Sequence, residues 1–445
     1  MPDLFELDYF SILDLAWALL ALVIILLFVN VRKKKYRELD YSEYYTTNVW
    51  MKLGLSLIYA VYYITIVKGG DTLAYWDGAL KMSNLFLKSP SLYFEELFNA
   101  PDMTLMYSHF DTQTGYPPGW IYRESESWFI SKIMSLFVFF TFKSYLVATF
   151  VMAYISSLAS WKLYELVHSY KLHTNRNIAI ATLLIPSVSF WCSGITKDTV
   201  VLFSTIFIVY HAFHILSLEI ETKRKNWIYL AFYVFLLYHI RSFMVTTIAV
   251  PLIISYSIRL VNKYRQQKFK FYLIRFSTFT LGIAFFILQG NSLSNSEELE
   301  QAAIINKDFA TNTTYEGTRY DIGITDYSPQ GMIAAFPAAT IAGFYRPFPW
   351  EATSLTMISN GLEDAFFLFL TVLFFRKNLL KKINVIRKNE FLVFALFFAI
   401  LMAYMAGVTS GLLGVLVRFK APVIPFLLIL LTIDISTTKE INSKI

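Results

Sequence analysis

The run Ser11-Ile-Leu-Asp-Leu-Ala-Trp-Ala-Leu-Leu-Ala-Leu-Val-Ile-Ile-Leu-Leu-Phe-Val-Asn-Val31, followed at once by Arg32-Lys-Lys-Lys35, decides the class of this chain. Roughly twenty predominantly apolar residues are what a helix needs to cross the hydrocarbon core of a bilayer. Asp3, Glu6 and Asp8 precede the run and the basic cluster follows it, which reverses the order of a cleaved secretory signal. The run reads as a retained span with its amino terminus outside, because Lys and Arg in short loops favour the cytoplasmic side.

Composition agrees. Of 445 residues, 56% are hydrophobic, 18% aromatic and only 16% charged, too little polar surface to cover a soluble globule. The formal charge of +7 is spread over short clusters between apolar runs rather than along one face, so it marks topology and not a nucleic-acid partner. The single cysteine, Cys192, excludes an intramolecular disulfide and a multi-cysteine metal site.

Outward from the first run, a second span over about 49–67 returns to the outer side and releases Lys68-Gly-Gly-Asp-Thr-Leu-Ala-Tyr-Trp-Asp-Gly-Ala79 there. The two glycines permit a tight turn, and Asp71, Tyr75 and Ala79 then share one face of a short helix. The plain alternative is an interfacial turn in which Tyr75 and Trp76 are belt aromatics. A first outer loop occupies 68–128 and carries Asp77, His109, Arg123, Glu124 and Glu126. Phe129 to Phe142 is too short to span and reads as an interfacial or re-entrant helix.

Further spans are expected over about 144–167, 177–193, 199–218, 227–240, 242–261 and 271–289, and, after a second outer loop at 290–355, over 356–375, 391–409 and 421–436. Lys171/Arg176, Lys223-Arg-Lys225, Lys263 to Arg275, Arg376 to Lys388 and Lys439/Lys444 all fall on the side of Arg32–Lys35. The expected fold is therefore an all-α polytopic transmembrane bundle of about 11 spans forming one integral membrane domain over 1–445. Two long outer loops carry short interfacial helices, and the carboxyl terminus is cytoplasmic. No internal repeat stands out.

Charge left on the outer side is sparse and sits near helix ends, where it is costly unless paired, solvated or functional. It comprises Asp71, Asp77, Arg123, Glu124, Glu126, Lys197-Asp198, Arg241, Arg319, Arg346, Glu351, Arg418 and Lys420. Snorkelling anchors account for some of these equally well. Three segments carry most of the basic groups: Trp191-Cys-Ser-Gly-Ile-Thr-Lys-Asp198, Phe344-Tyr-Arg-Pro-Phe-Pro-Trp-Glu351 and Arg418-Phe-Lys-Ala-Pro422. An acid facing several bases at the lip of a bundle suits a lipid-linked phosphate. The bases would hold the phosphate and the developing charge of the leaving group, and the carboxylate would take a proton from an attacking sugar hydroxyl.

Many spans, an early outer loop opening on Asp71 and a late second outer loop together resemble the GT-C superfamily of integral membrane glycosyltransferases. They also resemble bacterial O-antigen and exopolysaccharide polymerases, whose donors ride on polyprenyl pyrophosphate. The resemblance implies transfer of sugar from a polyprenyl-(pyro)phosphate carrier to a glycan or lipid-linked acceptor at the periplasmic face of the bacterial inner membrane, in surface polysaccharide assembly. It implies Asp71 as catalytic base, with Lys197, Arg241, Arg346, Arg418 and Lys420 as carrier-phosphate ligands. Tyr75, Asp77, Glu124, Glu126, Asp198 and Glu351 stand as supporting residues, and the outer carboxylates leave room for a divalent metal ion.

Other chemistries lack their signatures: there is no Walker loop, dinucleotide glycine pattern or HExxH. His168/His173 and His211/His214 have spacings a metal can use, although polar boundary residues are the commoner explanation. Asn312-Thr-Thr314 matches a glycosylation acceptor. A polysaccharide or lipid-linked oligosaccharide transporter, which would place charges deep in its spans, and a non-catalytic membrane scaffold remain the alternatives.

Overall fold

The computed structural model describes residues 9, 11–36, 41–216, 224–274, 276–277, 280, 304, 317–324, 326 and 328–434. Among them the chain is all-α, with no sheet and one isolated bridge between Arg319 and Leu412. Seven helices are long and apolar enough to cross a membrane, and an eighth span results if one bent pair is counted as one. The chain is a polytopic helical membrane protein.

Two compact units divide it. The first comprises Met1–Leu166, Leu183–His211 and Thr222–Phe243, the second Val167–Thr182, Ala212–Glu221 and Met244–Ile445.

In the first unit, α1 (Ile12–Tyr36) is the basic-ended span read above, and α2 (Ser42–Val61) continues through a wider-wound π segment, Tyr62–Val67. Lys68 at φ 50° and Gly70 at φ 84° then turn the chain. A Cβ on Gly70 would meet the Tyr63 ring at 2.9 Å, so glycine is required there by space as well as by backbone angle. The loop that follows is a helical layer: α3 (Asp71–Lys88), α4 (Pro90–Phe98), α5 (Met103–His109), α6 (Gly119–Arg123) and α7 (Ser125–Ser135). Gly78 lets α3 approach Trp128 and Ser131 of α7, and the Ser131 hydroxyl donates to the Tyr75 carbonyl at 3.0 Å.

A buried carboxylate fixes this layer. Glu96 accepts from Trp128 Nε1 at 2.9 Å and from the Tyr122 hydroxyl at 3.2 Å, and His109 Nδ1 lies 2.9 Å from it. A carboxylate so enclosed is tolerable because its oxygens are met by three polar groups. Lys132, held down in its affinity for protons by burial against the pull of Glu96, donates to the Asn99 carbonyl at 2.6 Å.

After α7 come α8 (Tyr145–Ser169), α9 (Asn175–Thr182), α10 (Pro186–Trp191), α11 (Lys197–Leu216), α12 (Arg224–Ile240) and α13 (Ser242–Lys263). The expected span at 177–193 is thus two short helices, because Pro186 cannot continue α9 and instead opens α10. The expected span at 227–240 is the 17-residue α12.

The second unit contains α14 (Pro329–Tyr345), a 3-10 turn at Pro349–Glu351, α15 (Leu355–Arg376), α16 (Leu379–Lys388), α17 (Glu390–Thr409), and the pair α18 (Leu413–Lys420) and α19 (Ile424–Leu431), bent by 64°. Where the sequence suggested loop, α14 is an apolar helix of 17 residues lying against α17. A Cβ on Gly343 would collide with the Ala403 carbonyl, and one on Gly407 with the Ala339 carbonyl. Small residues at matched positions bring two helix backbones into contact, as membrane helices do where hydrophobicity alone supplies no drive. His173 Nε2 and Asn177 tie the α9 end to the Ile429 and Thr432 carbonyls at 2.8 and 3.2 Å.

Most of the expected span at 271–289, Lys223, Lys439, Lys444, the acidic residues before Ser11 and Asn312–Thr314 lie outside the described residues.

Candidate functional site

In the first unit Asp71 is the first residue of α3 and is half-buried, so its carboxylate sits at the positive end of an 18-residue helix. Tyr75 and Trp76 are 2% and 1% exposed, which corrects the alternative that made them belt aromatics: both pack inside the layer. Asp77 is also buried. Desolvation pushes its carboxyl above the ordinary range, and the Lys81 ammonium at 3.4 Å opposes that shift.

Lys197 opens α11 and pairs with Glu124 at 3.5 Å and Glu126 at 3.6 Å, so three residues singled out from sequence meet at one point. Ser127 donates to Glu124 at 2.6 Å and holds it there. Next to Lys197, Asp198 is fully buried and receives the Arg241 guanidinium at 2.6 Å. Arg241 occupies the single-residue break between α12 and α13. The elbow before them is shaped by Thr199, which donates through its hydroxyl to the Gly194 carbonyl at 2.7 Å and through its amide to the Thr196 hydroxyl at 3.1 Å.

In the second unit the segment Arg346–Glu351 is packed onto α15, where a Cβ on Gly361 would meet Pro349 at 3.0 Å. Its guanidinium is met on several sides while remaining open on one. Arg346 Nε lies 3.4 Å from Glu351, NH1 donates to the Asp321 carbonyl at 3.2 Å, and the group stands 5.3 Å from the Tyr320 ring centre and 5.9 Å from that of Phe348. Glu351 is itself anchored, accepting from the Phe348 amide at 2.8 Å. One quarter of the Arg346 side chain stays exposed, enough to offer donors to an arriving anion.

Beneath it Lys420 is buried against the Asp364 carboxylate and donates to the Arg346 carbonyl at 2.6 Å. Arg418 is half-buried two residues earlier in α18.

Asp364, Lys52, Glu96 and Tyr320 were not picked out from sequence. Asp364 stands near the middle of α15, and Lys52, 1% exposed within α2, reaches the Val188 carbonyl at 3.4 Å. Two charged groups therefore lie well inside helices long and apolar enough to span. The signal was present as isolated charges inside apolar runs.

Among the described residues no three His, Cys, Asp or Glu side chains gather to hold a metal ion. His173 is bonded to a backbone carbonyl, with burial lowering its proton affinity, and His211 stacks on Tyr229 at 5.1 Å. Comparison of the chain with protein-family models, with curated proteins and with solved structures gives no match.

Proposed function

We propose that this membrane protein is a glycosyltransferase or glycan polymerase of GT-C-like plan, taking sugar from a polyprenyl-(pyro)phosphate carrier at the outer face of the bacterial inner membrane. In this reading the amino terminus is outside, the carboxyl terminus cytoplasmic and the span count about 11. The observation that carries the reading is Arg346. A guanidinium held by a carboxylate, a carbonyl and two aromatic rings, yet one quarter exposed, is preorganised to receive a phosphate through its planar fork. Rigidity lowers the entropic cost of that binding.

The other bases divide by environment. Arg241 and Lys420 are engaged with Asp198 and Asp364 in buried pairs, and removing a buried charge from its partner is expensive. Their role in the reading is structural support. Lys197 shares its charge with Glu124 and Glu126, and Arg346, paired yet partly exposed, is the phosphate ligand on which the reading rests. Asp71 serves as general base for the acceptor hydroxyl. The test is transfer from a purified polyprenyl-pyrophosphate sugar by the protein in nanodiscs. Release of polyprenyl pyrophosphate with growth of the acceptor supports the reading, and binding without turnover under varied acceptors counts against it.

A second reading, a transporter of lipid-linked oligosaccharide, is favoured by Lys52, the Asp364–Lys420 pair and the 64° bend after Lys420, since intramembrane charges and broken helices mark translocation paths. Movement of a fluorescent lipid-linked sugar across proteoliposomes, without chemical change, would establish it instead.

A further inference from the structure

We propose that the helical layer α3–α7 is seated in the bilayer through one continuous apolar face, with lipid acyl chains as its occupant. The face is made by Leu87 of α3, Phe94 and Phe98 of α4, and Leu136, Phe139 and Phe140 around the turn after α7, exposed by 64%, 49%, 81%, 49%, 42% and 79%. These side chains form one surface. Phe86 packs between Phe94 and Phe139 at ring distances of 6.4 and 6.0 Å, and Phe98 follows Phe94 by one helical turn. Clustered exposed rings of this kind mark a contact surface rather than ordinary scatter.

What covers the face is indicated by its continuity with a span. Phe142, at the far end of the turn, stacks on Trp17 of α1 at 4.1 Å with an 8° interplanar angle. Trp17 lies five residues beyond Ile12, where α1 begins, or roughly 7–8 Å along the axis at about 1.5 Å per residue. On α1 itself Leu13, Leu20, Val23 and Leu27 are exposed, as the lipid-facing side of a span must be. The aromatic turn therefore reaches past the end of the span and joins its lipid-facing surface.

Several backbone groups of the turn satisfy one another, as entry into lipid demands. The amides of Phe137, Thr141, Lys143 and Ser144 donate to the carbonyls of Met134, Phe137, Val138 and Thr141 at 2.9 to 3.0 Å. The Thr141 hydroxyl also stays inside, on the Phe137 carbonyl at 3.1 Å. On α4, Glu96 points into the buried hub, and Glu95, half exposed, lies 3.8 Å from His109 Nε2. Lys143, exposed next to Phe142, has the reach to return its ammonium to the headgroups. The inference does not depend on the glycosyl-transfer reading.

The experiment uses the full chain in nanodiscs of phosphatidylethanolamine and phosphatidylglycerol, with Cys192→Ser and a nitroxide on Phe98→Cys, Phe140→Cys or, as a control, the exposed Gln113→Cys. Collision with oxygen should exceed collision with a water-soluble nickel chelate several-fold at positions 98 and 140, and the order should reverse at 113. Preference for nickel at 98 and 140 would put the face in water and overturn the proposal. Weak collision with both reagents would mean protein covers it, a second copy included, and would overturn it equally. The unmodified protein gives an independent reading: a phospholipid with a diazirine in its acyl chain should label peptides containing 94–98 and 136–142 and spare 111–117. Absence of adducts in the first two, with adducts on α1, would reject the seating.

Discussion

Lys420 is joined at once to a side chain and to the backbone of its neighbours: its ammonium rests on the Asp364 carboxylate, each side chain 2% exposed, and donates to the carbonyl of Arg346 at 2.6 Å. The first bond neutralises a charge inside the second unit. The second fixes the start of the Arg346–Glu351 segment. Arginine position and bundle stability are thereby linked through one residue.

A charge left alone in such surroundings costs far more than the pair. Lys420→Met or Asp364→Leu alone is expected to destabilise the protein by about 3–5 kcal/mol, and the double substitution to recover most of that loss. Thermal unfolding of the purified variants in detergent measures the coupling. A double variant as unstable as the two losses added together would show that the residues act separately.

The second prediction concerns Asp71, which stands half-buried at the start of α3 rather than in an interfacial turn. Asp71→Asn keeps the size and the hydrogen-bonding reach but cannot accept a hydroxyl proton, so transfer is expected to fall by about a hundred- to ten-thousand-fold with the fold intact. Initial rates of glycan extension, beside unchanged thermal unfolding, check it. Extension at the parental rate would leave Asp71 a helix-end residue only.

Much of the frame was legible because it follows from solvation. An apolar run such as Ser11–Val31 can do little but span, and α1 is a 25-residue helix long and apolar enough to do so. The early loop was legible as one with a shape of its own, since aromatics and turn formers mix in it, but not as five helices around Glu96. Nothing in the string joins Glu96 to His109, Tyr122 and Trp128, whose meeting depends on how α4 to α7 pack. The pairing of Asp364 with Lys420 was hidden in the same way by a separation of 56 positions. Pro329–Tyr345 misled for a different reason. Its Gly, Ala and Pro content resembles loop, yet Gly343 beside Ala403 is what lets α14 touch α17. Arg346 with Glu351 needed only five residues of chain and a short turn, so that pair could be read directly.

Topology can be tested at two exposed lysines. Lys34 closes α1 and Lys381 lies on α16, both open to reagents, whereas Cys192 is fully buried and should stay unlabelled in the folded protein. With basic clusters cytoplasmic, Lys34→Cys and Lys381→Cys in a Cys192→Ser background should resist an impermeant maleimide in intact cells and react after permeabilisation. Reaction of both before permeabilisation would invert the orientation.

The last prediction isolates the fork of Arg346 from its charge. Lysine retains the positive charge but cannot hold Glu351 and the Asp321 carbonyl together while presenting two parallel donors to a phosphate, nor offer a planar group to the Tyr320 ring, whose centre the guanidinium approaches to 5.3 Å. Arg346→Lys is therefore expected to weaken binding of polyprenyl pyrophosphate by about tenfold or more, the loss of one charge-assisted hydrogen bond being about 1.5–3 kcal/mol. Arg346→Ala should weaken it further. Glu351→Gln removes the charge that orients the guanidinium while leaving an oxygen able to accept from the Phe348 amide, so the segment keeps its shape and the loss is smaller. Isothermal titration or fluorescence anisotropy with a short-chain polyprenyl pyrophosphate, on variants with parental melting temperature, reads the series directly. The order parent, Glu351→Gln, Arg346→Lys, Arg346→Ala in falling affinity identifies Arg346 as a phosphate ligand. Equal affinity across all four would assign the guanidinium to the structure of the segment alone, because a side chain that only braces Glu351 against Asp321 has no reason to be felt by the ligand.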